Sequence, residues 1–259
     1  MNPVVVSYGG GTNLTAMLIG MVERDNPVDL VLFADTGGER PGTYAYVELF
    51  SGWLVKRGYP PIETVSAAQT LEDNCLEGER MPSIAYGFKS CSDRWKRRPI
   101  KRRVRELMPK TDITMPIGID AEESHRAKES REKWITHAYP LLAWNWGREE
   151  CVQAIEGAGL PQPGKSSCFF CPSMKPREIL SLKKCHPDLL DRALEIERRA
   201  APHCRGTIAG LGRNWTWKSL VDADKAQLKM FQNRIDTACG CYDGWGDGDL
   251  VVNDEDLVF

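Results

Sequence analysis

The N-terminal part of the chain alternates short apolar runs with segments of helical period. Residues 3–8 read PVVVSY, a β-branched run that predicts a strand, and the apolar spacing over 14–24 predicts a helix. Residues 29–34 form a continuous apolar run, typical of a strand buried on both faces, and 44–57 predicts the next helix. Two successive strand–helix units favour a parallel, doubly wound α/β sheet.

The rest of the chain shows a less regular pattern of apolar and polar residues. We expect further strands at 62–65 and 113–119, and helices at 101–108, 122–132, 148–158, 176–184, 187–200 and 218–234. Residues 161–176 are rich in Pro, Gly, Ser and Cys and predict a loop that carries ligand-binding side chains. We therefore divide the chain into a sheet-bearing domain at 1–160 and a C-terminal helical part at 161–259.

The composition is that of an ordinary globular protein, with 42% hydrophobic residues, 27% charged residues and a net charge of −2. It excludes the collagen-like, disordered and coiled-coil classes. The start lacks the charged and apolar regions of a signal peptide, and no apolar run approaches the roughly 20 residues of a membrane span. We therefore expect a cytoplasmic protein that makes no contact with a membrane.

The small net charge conceals one strongly basic segment, residues 94–105, which carries eight Lys or Arg side chains and no acid. Such a run is often a solvated helix face, but beside a ligand site it attracts anions. The anion could be a triphosphate or the backbone of a nucleic acid. The solvated face and both kinds of anion stay open as interpretations.

Two turns follow the first two predicted strands. Residues 9–11 read Gly-Gly-Gly between strand and helix, where glycines allow a close approach and a helix N-terminus attracts an anion. Residues 35–37 read Asp-Thr-Gly at the carboxyl end of the second strand, where ligands of open α/β sheets bind. The alternative is a pair of tight turns without a ligand. Two such turns side by side favour a nucleotide site.

Nine cysteines are many for a chain of 259 residues. Thiols of a cytosolic protein stay reduced, so clustered cysteines there favour metal ligation or redox chemistry over disulfides. The two clusters are CFFC at 168–171 and CGC at 239–241, and zinc or an iron–sulfur cluster accepts about four such sulfurs. We predict that Cys75 and Cys151 are packing residues.

Five segments, in order along the chain, resemble motifs of the N-type ATP pyrophosphatases and PAPS reductases. SYGGGTNLTAML resembles their PP-loop, SGGKDS, and FADTGGERPGTY resembles their DTGxxFPET motif. CSDRWKRRPI resembles a Cys-x-x-x-x-Lys-x-x-Pro segment, and GIDAEESHR resembles GxRAxESxxR. YPLLAWNWGREECVQAI and the later CFFC-Pro resemble the W-x-x-x-D-V helix and cysteine pair. The matches cover residue 7 to about residue 172, roughly two thirds of the chain.

The resemblance implies a Rossmann-like domain of the adenine nucleotide α-hydrolase type. Such a domain binds ATP with Mg²⁺, cleaves it between the α and β phosphates, and adenylylates a substrate. The resemblance also implies iron–sulfur-dependent sulfur transfer, for which a nucleic acid held by residues 94–105 is one acceptor. We further expect a second copy of the chain as a partner in a homodimer.

The site residues implied by the resemblance fall into three groups. The nucleotide contacts are Ser7, Tyr8, Gly9, Gly10, Gly11, Thr12, Asn13, Asp35, Thr36, Gly37, Gly118, Asp120, Glu123 and Arg126. The catalytic residues are Asp35, which binds Mg²⁺ or the nucleoside, and Lys96. The metal ligands are Cys91, Cys168 and Cys171 with Cys239 or Cys241, and they hold a 4Fe-4S cluster or, alternatively, Zn²⁺. Cys185 and Cys204 are less favoured alternatives for the fourth ligand, because their surroundings are helical or carry little signal.

The glycine turn departs from the family pattern. Gly9 stands where the family has Ser, Thr12 where it has Lys and Asn13 where it has Asp, while Asp120 replaces an Arg. The missing lysine removes a positive charge from the phosphate site, so two alternatives stay open. One is a sulfonucleotide reductase acting on PAPS or APS, although the tail lacks the Glu and His that flank that family's cysteine. The other is a non-catalytic nucleotide- or nucleic-acid-binding protein with a structural zinc or iron–sulfur site.

Overall fold

The computed structural model describes residues 2–88 and 90–230 and is built around parallel β-strands. Strands β1 (Val5–Tyr8), β2 (Leu30–Asp35) and β3 (Ile62–Ser66) form one parallel sheet in that order. Strands β4 (Ile113–Pro116) and β5 (Ile135–Ala138) form a second parallel pair. The mixed α/β class and the parallel pairing predicted from the sequence are confirmed.

The two groups of strands meet at a single bridge. Val4 pairs in parallel with Thr114, whose N–H donates to the carbonyl of Pro3 at 2.9 Å. Strand β4 therefore lies beside β1, and the strands follow one another in the order β3, β2, β1, β4, β5. Because all the ladders are parallel, the carboxyl ends of β1 and β2 open at the same edge.

Helices occupy the connections between these strands. They are α1 (Thr12–Glu23), α2 (Pro41–Val55), α3 (Leu71–Glu77), α4 (Ser90–Ser92), α5 (Arg98–Leu107), α6 (Pro140–Ala143), α7 (Arg148–Gly157), α8 (Pro176–Cys185), α9 (Pro187–Ala200) and α10 (Trp217–Met230). Single 3-10 turns occupy Ser83–Tyr86, Ala121–Arg126 and Ala201–His203, and a π segment, Asp93–Arg97, joins α4 to α5. Over the described ranges, no helix has the length and apolar character needed to cross a bilayer.

Side chains that alternate along β1 and β2 enter two different hydrophobic clusters, one on each face of the sheet. Val6 and Phe33 pack in the first cluster with residues of α1, α2 and α7. Val5 and Leu32 pack in the second cluster with residues of α5, β4 and β5. This alternation is what the period of a strand requires when both faces are buried. Helices thus cover both faces of the sheet, although the doubly wound arrangement as a whole stays a prediction.

A third hydrophobic cluster lies away from the strands. It joins Leu71 and Cys75 of α3 to Phe169 and Phe170, and it includes apolar residues of α8, α9 and the start of α10. Residues up to Val221 form one compact unit, and a second unit begins at residue 222 with the later turns of α10. The domain boundary at residue 160 remains a prediction.

Glu197 on α9 anchors the chain that leads into α10. It is buried and accepts hydrogen bonds from the backbone N–H groups of Leu211 and Trp217 at 2.8 Å and of Lys218 at 3.0 Å. A buried carboxylate is stable when hydrogen bonds replace its lost water. This one carboxylate therefore fixes the turn at 210–212 and the first turn of α10 against α9.

Two local predictions were wrong. The segment predicted as a helix over 122–132 forms only the 3-10 turn Ala121–Arg126, because its side chains are mostly exposed and offer no apolar face to pack. The strand predicted over 113–119 ends at Pro116, since proline cannot donate to the ladder. Strand β5, only four residues long, was missed.

Candidate functional site

The glycine turn between β1 and α1 is closely covered by two other segments. Gly10 has a φ of +70°, a conformation that favours glycine, and Gly11 is the N-cap of α1. A Cβ at Gly10 would lie 3.1 Å from Thr43 Cγ2, and one at Gly11 would lie 3.5 Å from Ser166 Oγ. The first N–H groups of an α-helix have no carbonyl partner within the helix. The turn therefore presents backbone donors in a confined space, as an anion site requires.

Two side chains predicted to bind the nucleotide meet beside this turn. Asn13 donates from Nδ2 to Asp120 Oδ2 at 2.8 Å, and the other carboxylate oxygen accepts from the N–H of Glu123 at 3.0 Å. Asp120 is buried, so these bonds hold it in one orientation. A Cβ at Gly118 would lie 3.1 Å from the N atom of Leu14, which places Gly118 against the first turn of α1.

Glu123 and Arg126, also predicted as nucleotide contacts, are directed elsewhere. They pair with each other at the surface, with side-chain exposures of 41% and 56%. Exposed pairs of this kind contribute little to stability and exchange partners readily. The structure therefore brings Asn13, Gly118 and Asp120 to the glycine turn, while the Glu123–Arg126 pair is self-contained.

The second turn, residues 35–37, borders a cavity of about 270 Å³ at the carboxyl ends of β2 and β3. Asp35 Oδ1 accepts from the N–H of Gly37 and from the hydroxyl of Tyr44, both at 2.7 Å. Burial, together with Asp35, raises the pKa of Tyr44, so its hydroxyl stays a donor. Asp35 and Thr36 line the cavity with Ser66, Gln69, Thr70 and Asp73. The cavity is polar and of a size that admits part of a nucleoside.

The cysteine pair docks directly on the chain that follows this turn. Cys168 forms an antiparallel bridge with Glu39, and the N–H of Phe169 donates to the carbonyl of Gly38 at 2.8 Å. Cys168 Sγ lies 3.2 Å from Thr36 Oγ1, within hydrogen-bonding distance. A residue predicted to contact the nucleotide and a residue predicted to bind a metal are therefore in direct contact.

A buried ion pair joins the basic segment to the same place. The Glu39 side chain is fully buried, and its Oε1 accepts from Lys96 Nζ at 2.7 Å. Within the described residues, Glu39 Oε2 has no hydrogen-bond partner. Burial lowers the pKa of Lys96, but Glu39 and the thiols of Cys168 and Cys171 raise it above its ordinary value. The ammonium group thus lies among the carboxylate and the two cysteines and stays charged.

Cys91, Cys168 and Cys171 are all partly buried and pack against the third hydrophobic cluster. Burial, with a further contribution from Glu39, raises the pKa of Cys168 to about 12, so the free thiol is protonated at neutral pH. Metal ligation removes this proton. Among residues 2–88 and 90–230, no three Cys, His, Asp or Glu side chains converge tightly enough to hold a metal ion. Cys239 and Cys241 lie outside the described residues, so the ligand set stays a prediction.

Most basic side chains of residues 94–105 are already paired with acids. Glu39 pairs with Lys96, Asp93 with Arg97 and Arg98, Glu63 with Arg103, Glu106 with Arg102 and Arg103, and Glu132 with Lys101. Two others lie over aromatic rings, Arg94 over Trp95 and Arg105 over Trp134. The segment is therefore less positive in the fold than in the sequence. Its exposed pairs are weak, so they can open to a phosphate.

Sequence reasoning missed Glu39 and Ser166. Glu39 is one acid among 36 acidic residues, and its burial depends on the distant Lys96 and Cys168. Ser166 had a weak signal, because Lys165-Ser166-Ser167 next to the cysteine pair supplies the residue types that the glycine turn lacks. Cys75 and Cys151, which we predicted to be packing residues, are buried, and burial raises the pKa of each to about 12.

Comparisons with other proteins give limited similarity. No protein-family model matches the chain. An uncharacterised protein of Methanocaldococcus jannaschii is 26% identical over 235 residues, which are 84% of this chain and 45% of that protein. The chain thus spans about half the length of this curated relative. The U34-tRNA thiolase NcsA from Methanococcus maripaludis, solved with its 4Fe-4S cluster, aligns with 93% of this chain and 75% of its own, at 16% identity and a TM-score of 0.47. That score assigns no activity to this chain.

Proposed function

We propose that this chain binds ATP at the carboxyl edge of its sheet and cleaves it between the α and β phosphates. The adenylyl group activates an acceptor, and the cysteines take part in transferring sulfur to it. The contact between Thr36 Oγ1 and Cys168 Sγ at 3.2 Å carries this proposal, because it joins the nucleotide turn to the cysteine pair. An enzyme that couples adenylylation to sulfur transfer needs both chemistries at one place.

The residues of this chain divide the work of holding the nucleotide. The backbone N–H groups at the start of α1, above Gly10 and Gly11, bind the phosphates. The cavity beside Asp35 receives the nucleoside, and the glycine turn receives the phosphate chain at the neighbouring strand. Lys96, held among Glu39 and the cysteines, offsets negative charge that develops during cleavage.

Mg²⁺ supplies further charge neutralisation when it is bound with the triphosphate. Asp35 is the carboxylate that fits such an ion, since Mg²⁺ prefers one or two carboxylates together with phosphate oxygens. Two donors, Gly37 and Tyr44, fix its Oδ1, which orients the carboxylate toward the cavity edge. These residues are therefore assigned to the metal–nucleotide complex.

Cys91, Cys168 and Cys171 supply the residue type that an iron–sulfur cluster binds, and they would have to move closer together to hold one. They pack against one hydrophobic cluster, and Cys239 or Cys241 provides the fourth sulfur. When bound, a cluster would supply the sulfur chemistry. Zinc would accept the same ligands but would not supply that chemistry. Thr36 and Lys96 then act on the thiolate of Cys168, the first by a hydrogen bond and the second by its charge.

A nucleic acid is the acceptor that residues 94–105 favour. Two of the exposed arginines of that segment, Arg97 and Arg98, share a single carboxylate, Asp93. A phosphate competes well for arginines held in this way, because a charge-assisted bidentate pair is stronger than a shared surface ion pair. The proposal therefore places an RNA or DNA backbone along the exposed side of the π segment and α5.

The test begins with protein purified without oxygen, in which iron, sulfide and zinc are measured. We then expect pyrophosphate release from ATP that depends on an added nucleic-acid acceptor. Cys168→Ser abolishes sulfur incorporation while leaving pyrophosphate release, and Cys185→Ser, which replaces an exposed cysteine, is the matched control. Sulfite release from PAPS or APS would instead identify a reductase. Stoichiometric zinc without pyrophosphate release would identify a binding protein.

A further inference from the structure

Ser166, within the segment Gly-Lys-Ser-Ser at 164–167, lies against the glycine turn from a distant part of the sequence. Ser166 Cβ is 3.7 Å from the position of a Cβ at Gly10, and Ser166 Oγ is 3.5 Å from that of a Cβ at Gly11. Ser166 is thus in contact distance of both glycines. Its hydroxyl stands beside the N-cap of α1, where the first backbone donors of the helix begin.

The two neighbours of Ser166, Lys165 and Ser167, carry polar groups that can still bind another group. Lys165 Nζ lies 2.6 and 2.8 Å from the two carboxylate oxygens of Glu178, and 47% of its side chain is exposed. Glu178 also accepts from the N–H of Lys175 at 2.7 Å, so it keeps a partner if Lys165 moves. Ser167 Oγ is buried without a hydrogen-bond partner among the described residues. Buried hydroxyls ordinarily have a partner, so this one is free to accept a further hydrogen bond from water or from a bound group.

These residue types are the ones that the turn itself lacks. The resembling PP-loops carry Ser and Lys where this chain has Gly9 and Thr12. A glycine turn with backbone donors alone binds phosphate without any compensating charge. Ser166 brings a hydroxyl to the same turn, and the neighbouring Lys165 carries an ammonium group that is paired with the half-buried Glu178.

We propose that Lys165 and Ser166 form a phosphate-binding element that completes the glycine turn and recognises the terminal diphosphate of a nucleoside triphosphate. The assignment rests on the proposed function, which places the nucleoside in the cavity beside Asp35 and so directs the distal phosphates to the glycine turn. Ser166 donates its hydroxyl hydrogen to a phosphate oxygen, and Lys165 leaves Glu178 to pair with the same group. The element is supplied by the loop that also carries Cys168.

The test measures binding of ATP, inorganic pyrophosphate and AMP to the full chain by calorimetry in reducing buffer. We expect the double variant Lys165→Met/Ser166→Ala to bind ATP and pyrophosphate about tenfold or more weakly, with AMP changed less than about twofold. The matched control is Lys184→Met/Ser181→Ala on α8, which removes the same charge and hydroxyl elsewhere and keeps wild-type binding of all three. Thermal melts establish that both variants are folded.

A second variant tests the same site in case the double variant does not fold. Gly11 has a φ of −106°, which alanine adopts, so Gly11→Ala folds and places a methyl group 3.5 Å from Ser166 Oγ. We expect the methyl group to block the phosphate and to weaken pyrophosphate binding by about tenfold or more.

Each outcome bears on a different part of the reasoning. If wild-type protein binds ATP and pyrophosphate but the double variant binds them equally well, this inference fails and the proposed function stands. An equal loss of AMP binding also overturns the inference, because the element would then contact the α phosphate. If wild-type protein binds none of the three ligands, the proposed function and the inference fail together.

Discussion

The ion pair between Lys96 and Glu39 is expected to help anchor the cysteine loop, residues 161–175 with Cys168 and Cys171, on the sheet. Glu39 is fully buried, whereas 34% of the Lys96 side chain is exposed. Breaking a fully buried ion pair at one partner typically costs about 3–5 kcal/mol, because a charge is left without compensation. Solvent reaches Lys96 and screens part of the interaction, so we expect Lys96→Met to lower the free energy of unfolding by about 2–4 kcal/mol.

A double-mutant cycle measures this directly. Lys96→Met, Glu39→Gln and the double variant are unfolded with urea, without metal and with reductant, and followed by tryptophan fluorescence. The double variant should regain at least half of the loss, since it contains no unpaired buried charge. Arg97→Met, which breaks an exposed pair in the same segment, is the control and keeps a midpoint near wild type. Wild-type stability in Lys96→Met, or simple additivity in the double variant, would refute the reasoning.

Three further predictions concern other parts of the fold. Glu197→Ala removes the acceptor of three backbone N–H groups, two of them buried, and urea unfolding should show a loss of about 3 kcal/mol or more. Gly37→Ala should lower the free energy of unfolding by about 2–4 kcal/mol and weaken ATP binding. The φ of Gly37 is +72°, and the new Cβ would lie 2.4 Å from Thr70 Cγ2. The unfolding midpoint measures the first effect and calorimetry the second. Iodoacetamide at pH 8 should modify exposed Cys185 well before buried Cys75, whose pKa of about 12 keeps it protonated, and peptide mass analysis reads the order.

The parts of the fold that the sequence predicted well are those with a local cause. Strands β1 and β2 are buried on both faces, so their apolar runs appear without interruption in the sequence. Pro41 begins α2 at the first helical position, where its missing N–H costs nothing. The two turns at the carboxyl ends of these strands followed from the same local signals.

The parts that sequence reasoning missed depend on distant partners. Part of the pairing of the basic segment could not be foreseen, because Glu39, Glu63 and Glu132 lie far from it in the chain. Asp93 and Glu106, which pair with its other arginines, flank it directly. Burial of Glu39 likewise depends on its bridge with Cys168 in the cysteine loop, and no local sequence pattern predicts that contact. The segment predicted as a helix at 122–132 failed for the related reason that charge alone does not create a packing face.

The contact between Thr36 and Cys168 joins residues 132 positions apart, and this separation has a consequence for folding. Closing so long a loop costs entropy before the contact returns any energy, so nearby contacts form first. The turns after β1 and β2 can therefore form early, but the site that combines them with the cysteines is completed late. Local opening is expected to reverse this order, because residues 161–175 form no helix or strand of their own and depend on contacts with distant segments. Proteolysis should consequently cut the cysteine loop while strands β1, β2 and β3 are still paired.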